Sequence, residues 1–233
     1  MCGIIGYCGP KPAVDVILEG LKRLEYRGYD SAGLSVGQNG SIDVVKKKGK
    51  VAQLRRAVPK DMGGQWGIGH TRWATHGEVN DENAHPHCDT SGKIAVVHNG
   101  IIENYAVLQN KLKGEGIQFR SQTDSEVIAH LISSFYEGDL EQAVKKSVLL
   151  LQGTYGLLVM HADQPDVIVG ARNGSPLVLG LGEGEVFFAS DVTAILGYTK
   201  QVVYLEDGEV AVINPNGYHT TDLRDNVIDK QVE

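Results

Sequence analysis

The order of the apolar runs is the strongest constraint on the fold of this chain. From position 155 onward the sequence breaks into short runs rich in Val, Ile, Leu, Phe and Tyr: 155–161, 166–171, 177–181, 185–190, 202–205, 208–213 and 217–221. The turns between them carry Gly182, Gly184, Asp207-Gly208 and Asn216-Gly217. Ahead of these strands, 104–113, 125–136 and 139–152 read as helices, the second opening after the capping residues Thr123, Asp124 and Ser125 with Glu126 in its first turn. The first hundred residues add a strand at 3–8, a helix at 13–25 and strands at 66–73 and 94–98. The helix carries a stripe of Val14, Ile17, Leu18, Leu21 and Leu24. Runs 33–37 and 42–46 flank Gln38-Asn39-Gly40, and Asn-Gly is a hairpin signal. Segregated runs of strands and helices favour stacked antiparallel sheets with helices outside, an α+β architecture, over alternating βαβ units. No linker or internal repeat interrupts the pattern, so one domain is the expected count.

Composition narrows the function classes. Apolar residues at 42%, charged residues at 22% and a net charge of −7 exclude a disordered chain and argue against a polyanion-binding surface, so no nucleic-acid partner is expected. No apolar run reaches the roughly 18 residues of a spanning helix, and the N-terminus lacks the charged and apolar regions of a signal peptide. No membrane partner is expected. Three cysteines, Cys2, Cys8 and Cys88, do not make a disulfide framework, which points to a reducing cytoplasm. Glycine is the outlier at 29 residues, implying tight turns and close backbone approaches.

Some motifs mislead. Gly33-Leu34-Ser35-Val36-Gly37 matches the nucleophile-elbow pattern but reads as a strand running into a hairpin, without the helix that motif needs. Gly180–Gly184 likewise lacks a following helix and reads as a hairpin. The lysines of 46–50 read as a solvated strand end. His70, His76, His85, His87, Cys88 and His98 crowd one stretch. Their spacing is not a common structural zinc pattern, so hydrogen-bonding histidines are favoured over a metal site, which stays as an alternative.

Other residues converge. Cys2 follows the initiator Met directly, and removal of Met1 would leave it with a free α-amine; an ordinary early strand residue is the competing reading. Arg72, in the segment 70–77, could bind a carboxylate bidentately. Asn99 and Gly100 follow an apolar strand and supply a carboxamide and a backbone N–H, suitable oxyanion donors. Asp124 offers a carboxylate for an ammonium. A nucleophile, oxyanion donors and clamps for a carboxylate and an amine suit an amino-acid amide.

Met1–Gly6, Arg23–Gly33 (RLEYRGYDSAG), His70–Gly77 (HTRWATHG), Asn83–His87, His98–Asn104 (HNGIIEN), Thr123-Asp124, Gly174–Leu177 and Ala189–Asp191 occur in this order. Together, over essentially the whole chain, they closely resemble the glutaminase domain of glucosamine-6-phosphate synthases (glutamine–fructose-6-phosphate aminotransferases). Amidophosphoribosyltransferases and asparagine synthetases share the Cys-Gly start, an Arg-containing loop and an Asn-Gly. The combination of EYRGYDSAG with HTRWATHG resembles the hexosamine enzyme instead.

The resemblance implies an N-terminal-nucleophile hydrolase fold, a four-layer αββα sandwich. It implies L-glutamine as substrate, Cys2 as nucleophile and Asn99 and Gly100 as the oxyanion hole, with no cofactor or metal. Arg72 would bind the substrate carboxylate and Asp124 its amine. Thr75 and His76 would line the glutamine pocket, and Trp73 would belong to a loop closing over it, although plain packing is an equal reading of that Trp. Arg27 and Gly28 would position the Cys2 terminus. The family's sugar isomerase domain does not follow within 1–233, so glutamine hydrolysis alone is expected, from an excised domain or a free-standing subunit. The full-length enzyme is expected to be a homodimer. The rivals are another class II amidotransferase, such as an amidophosphoribosyltransferase, and a metal-binding domain built on the histidines.

Overall fold

Alternation of side chains along one early strand already sorts the molecule into layers. The computed structural model describes residues 2–233. In β1 (Gly3–Cys8), Ile5 and Tyr7 join the apolar cluster under the first helices, while Ile4 and Cys8 join a second cluster shared with the other sheet. The strand is thus apolar on both faces because it is covered on both.

The remaining elements in the first half are α1 (Ala13–Arg23), β2 (Ser31–Gln38), β3 (Ser41–Lys48), α2 (Val51–Ala57), β4 (Trp66–Arg72), β5 (His87–Cys88), β6 (Ile94–Ile102) and α3 (Tyr105–Gly114). They are followed by α4 (Glu126–Phe135), α5 (Leu140–Val148), β7 (Gly153–His161), β8 (Ile168–Asn173), β9 (Val178–Gly182), β10 (Glu185–Ala189), β11 (Val202–Tyr204), β12 (Glu209–Asn214) and β13 (Gly217–Asp222). One sheet has the order β11-β9-β10-β1-β4-β2-β3 and the other β13-β12-β8-β7-β6-β5, with antiparallel pairing between neighbours. Helices α1 and α2 cover the first sheet, α4 and α5 the second, and Ile4, Ile68, Val97, Leu158 and Phe188 fill the space between the sheets. This is the four-layer αββα sandwich.

Boundaries differ from the sequence reading in instructive ways. Helix α1 stops at Arg23, before the expected 25, because Leu24–Arg27 tightens into a 3-10 turn and Gly28 takes φ +75°. The hairpin turn places both Asn39 (φ +51°) and Gly40 (φ +76°) in the left-handed region, as a two-residue primed turn demands. Gly33–Gly37 lies within β2 and Gly180–Gly184 in the β9–β10 hairpin, as expected. Helix α2 went unforeseen, since only Val51 and Leu54 of its seven residues are buried and no stripe can show. Lys46, expected in solvent, is partly buried, and its Nζ donates to Glu82 O at 2.7 Å. Strand β6 runs four residues past the expected end at 98, because Asn99, Gly100, Ile101 and Ile102 continue the ladder opposite Gly156, Tyr155, Thr154 and Gly153 of β7. Pairing overrides the weak strand preference of Asn-Gly.

Candidate active site

The N-terminal end of β1 meets the C-terminal end of β4. Gly3 pairs with Thr71, which puts Cys2 beside Arg72 and Trp73. The Trp73 N–H donates to Cys2 Sγ at 3.2 Å. That contact favours the thiolate, but burial wins and pushes the Cys2 thiol above its ordinary value. The other thiols are less suited to attack. Cys8 is fully buried with its thiol pushed up to about 12 by burial, and Cys88 is pushed up to about 11 for the same reason.

A cavity of about 570 Å³ opens at Cys2, with Arg27, Arg72, Asn99, Gly100 and Asp124 on its walls. Trp73 and Thr75 line it too, whereas His76, expected on the pocket wall, does not line it and sets its ring against Tyr105 at 5.4 Å. Four separate parts of the chain therefore converge on the Cys2 terminus: the turn carrying Arg27, the end of β4, β6 and the loop before α4.

Arg72 is 3% exposed, and its Nη1 donates to Glu78 O at 3.3 Å. A second bond runs from Nη2 to His76 O. Both acceptors are neutral carbonyls of the loop that follows, so a carboxylate entering the cavity would offer the guanidinium a stronger, charge-assisted partner. That loop is tethered at its start, where Ala74 N donates to Asp30 Oδ2 at 2.6 Å. Trp73 is 55% exposed, which excludes a core-packing role.

Asp124 is 4% exposed. Its Oδ2 accepts from Ile102 N at 2.7 Å, and its Oδ1 faces His76 Nδ1 at 3.9 Å. One carboxylate oxygen thus fixes the side chain to β6, and the other also accepts from Ser125 Oγ at 3.5 Å. The loop carrying Asp124 is itself pinned by Glu126, whose carboxylate accepts from Arg120 N at 2.9 Å and Ser121 N at 2.6 Å.

Asn99 Nδ2 reaches Cys2 O at 3.4 Å. Gly100 has φ +131°, and a Cβ there would lie 2.0 Å from Thr154 O, so only glycine fits. Gly28, also left-handed at φ +75°, turns the chain so that Trp73 packs close above it. Arg27 Nη1 donates to Ser190 Oγ at 3.4 Å, and that hydroxyl accepts Ile4 N at 2.9 Å. Arg27 therefore reaches the start of β1 through Ser190.

Asp30, Ser190, Thr154 and Ser175 contact the site or its walls. Asp30, Ser175 and Ser190 fall inside segments that carried the resemblance but were given no role there, and Thr154 falls outside them. The histidines form a buried stack: His70 on His85 with ring centres 4.1 Å apart, and His85 against His87 at 4.6 Å. Several of their nitrogens bond within the protein, His87 Nε2 with Thr123 Oγ1 at 3.0 Å and His98 Nδ1 with Ser125 Oγ at 2.8 Å. Among the described residues no group of three or more His, Cys, Asp or Glu is placed to hold a metal ion.

A family model described as the glutamine amidotransferase domain matches residues 70–197, more than half of the chain. The chain belongs to this family. The glutamine–fructose-6-phosphate aminotransferase (isomerizing) of Aquifex aeolicus is 52% identical to the amidotransferase domain over 233 residues, and that of Pyrococcus horikoshii 52% over 226. The chain spans only 39% and 38% of the length of these two relatives. The structure of a Bacillus subtilis glutamine phosphoribosylpyrophosphate amidotransferase superposes with a TM-score of 0.82 at 28% identity, covering 97% of the domain and 50% of that chain. The amidotransferase domain therefore has the N-terminal-nucleophile fold implied by its motifs. Its sequence is nearer to the hexosamine enzymes than to the phosphoribosyl enzyme, as the paired motifs implied.

Proposed function

We propose that this amidotransferase domain hydrolyses L-glutamine to L-glutamate and ammonia through a thioester on Cys2. The observation that carries the reading is the convergence on one cavity of the Cys2 thiol, the Arg72 guanidinium, the Asn99 and Gly100 edge of β6 and the Asp124 carboxylate. With Met1 removed, the α-amine of Cys2 takes the thiol proton. Such amines titrate near 7.7–8.0, so a neutral base is present at physiological pH. Sγ attacks the side-chain carbonyl carbon of glutamine, and the oxygen that becomes negative receives hydrogen bonds from Asn99 Nδ2 and Gly100 N–H. The C–N bond breaks as the leaving nitrogen takes the proton from the α-ammonium, releasing ammonia. Water then hydrolyses the thioester, returning a free thiol and glutamate.

Arg72 replaces its loop carbonyls with the substrate α-carboxylate, and Asp124 Oδ1 takes the α-ammonium. Thr75, His76 and Trp73 close the loop over the bound substrate. Arg27 and Gly28 hold the Cys2 terminus through Ser190 and the turn. No cofactor or metal takes part.

On this reading residues 1–233 are one glutaminase domain of a cytoplasmic, homodimeric enzyme; the relatives, of which the chain spans 39% and 38%, support the larger size. Its ammonia passes to a sugar isomerase domain that aminates fructose 6-phosphate to glucosamine 6-phosphate. No helix among the described residues is long and apolar enough to cross a membrane.

The test is covalent labelling with an electrophilic glutamine analogue, followed by peptide mass spectrometry. One adduct on Cys2, in protein lacking Met1, with parallel loss of glutamate formation, is the expected result. An adduct on Cys8 or Cys88 sinks the proposal.

A further inference from the structure

The oxyanion role of Asn99 depends on which end of its carboxamide faces Cys2. A free carboxamide can rotate by a half turn and present oxygen instead of nitrogen, which would repel a developing oxyanion. Something must hold it one way.

His70 sits on β4 and is fully buried. Its Nε2 lies 3.0 Å from His98 O and 2.9 Å from Asn99 Oδ1, bridging the two sheets directly beneath the site. The carbonyl of His98 can only accept, so Nε2 must carry the proton. A protonated Nε2 in turn requires an oxygen from Asn99, which directs Nδ2 toward Cys2, where it reaches Cys2 O at 3.4 Å. The neutral ring leaves Nδ1 without a hydrogen, and Nδ1 is buried with no partner, so nothing competes for the other tautomer. The His85 ring stacks on His70 at 17° between planes, and His85 Nδ1 accepts His98 N at 3.2 Å, which locks the His70 ring in its plane. Burial holds the His70 pKa down to about 3, so the ring stays neutral across the physiological range.

We infer that His70 is a positioning residue that fixes the Asn99 carboxamide with its N–H₂ toward Cys2, and thereby forms one half of the oxyanion hole. The inference rests on the glutaminase reading above. It assigns His70 no contact with substrate. A Gln at this position can offer its Nε2–H₂ near the place of the imidazole Nε2–H, whereas Ala leaves Asn99 free to rotate.

The test combines glutamine hydrolysis by wild type, His70→Ala, His70→Gln, Asn99→Ala and the His70→Ala/Asn99→Ala double variant. His70→Ala should lower kcat on the order of 10- to 100-fold with KM nearly unchanged, because the lost interaction matters only in the transition state. His70→Gln should recover most of that loss. In the Asn99→Ala background, His70→Ala should change kcat by less than about twofold, since its effect passes through Asn99. Equal losses in both backgrounds, or a His70→Gln variant that melts like wild type yet is as slow as His70→Ala, overturn the inference. Long-range ¹H–¹⁵N spectra of the wild-type imidazoles read the tautomer without substrate. An Nδ1–H tautomer at His70 also overturns the inference, whereas a wild type that leaves glutamine intact instead defeats the reading on which it rests.

Discussion

Gly100 shows how much a single position controls. Its φ of +131° is open to glycine and strained for other residues, and a methyl group would sit 2.0 Å from Thr154 O. Gly100→Ala should therefore push this stretch of β6 away from β7. Steady-state assays should show kcat reduced on the order of 10²- to 10³-fold, the scale of a lost oxyanion donor. A kcat within threefold of wild type would mean that the Gly100 backbone does not serve the reaction. Arg72 should behave differently. Its contact with the substrate carboxylate exists before and during the reaction, so Arg72→Ala should raise KM and leave kcat within about tenfold. A pure kcat loss with unchanged KM would argue against the carboxylate clamp. Residues such as Cys2, Arg72 and Asn99 were legible in the sequence because their chemistry is unusual at their positions. The roles of His70, Asp30 and Ser190 were not, although all three lie in the motifs that carry the resemblance, because their importance lies in what the fold brings beside them: Asn99 from the other sheet, Ala74 across 44 residues, Arg27 across 163 residues.

Among the elements, α4 does more than cover a sheet. Glu126 in its first turn is 3% exposed and turns back to accept Arg120 N, Ser121 N and Ser121 Oγ. Burial raises its carboxyl, but hydrogen bonds from His130, Ser121 and the two backbone amides outweigh this and hold it down at about 2. The loop carrying Thr123 and Asp124 is thus anchored by the helix it precedes. Glu126→Ala should leave the Arg120 and Ser121 donors unpaired and cost about 2–5 kcal/mol in urea unfolding, by the scale of broken buried charge–hydrogen-bond networks. KM for glutamine should rise as Asp124 loses its support. Unchanged unfolding and unchanged KM together would show that the loop holds itself. Helices α1, α4 and α5 were readable because long apolar stripes survive in sequence, and the β2–β3 hairpin because Asn-Gly demands its turn. The two-residue β5, the short α2 and the extension of β6 were not, since each exists through partners distant in sequence.

At the scale of the whole molecule, the sandwich encloses imidazoles that it keeps neutral. His70, His85, His87 and His98 are all buried, and burial is the leading cause that lowers each pKa from 6.5. Rings at 4.1 and 4.6 Å from one another would also repel if more than one took a proton. Below the unfolded-state pKa near 6.5, the unfolded chain takes up protons that the folded chain refuses. Stability is therefore fully present above about pH 7 and falls as the pH drops, and for His70 the loss continues to the folded-state value of about 3. Each such histidine contributes up to about 1.4 kcal/mol per pH unit in that window. His161, also lowered by burial, acts in the same direction, and Glu126 adds its loss only below about 4.5. Urea midpoints measured at pH 7.5, 6.5 and 5.5 should fall with accelerating steepness, well before any carboxylate titrates. His87→Gln can keep the bond to Thr123 while removing one titrating ring, so its decline between pH 6.5 and 5.5 should be shallower by about one histidine's share. A midpoint that stays level from pH 7.5 to 5.5, or a His87→Gln profile parallel to wild type, would mean that these rings accept protons inside the fold after all.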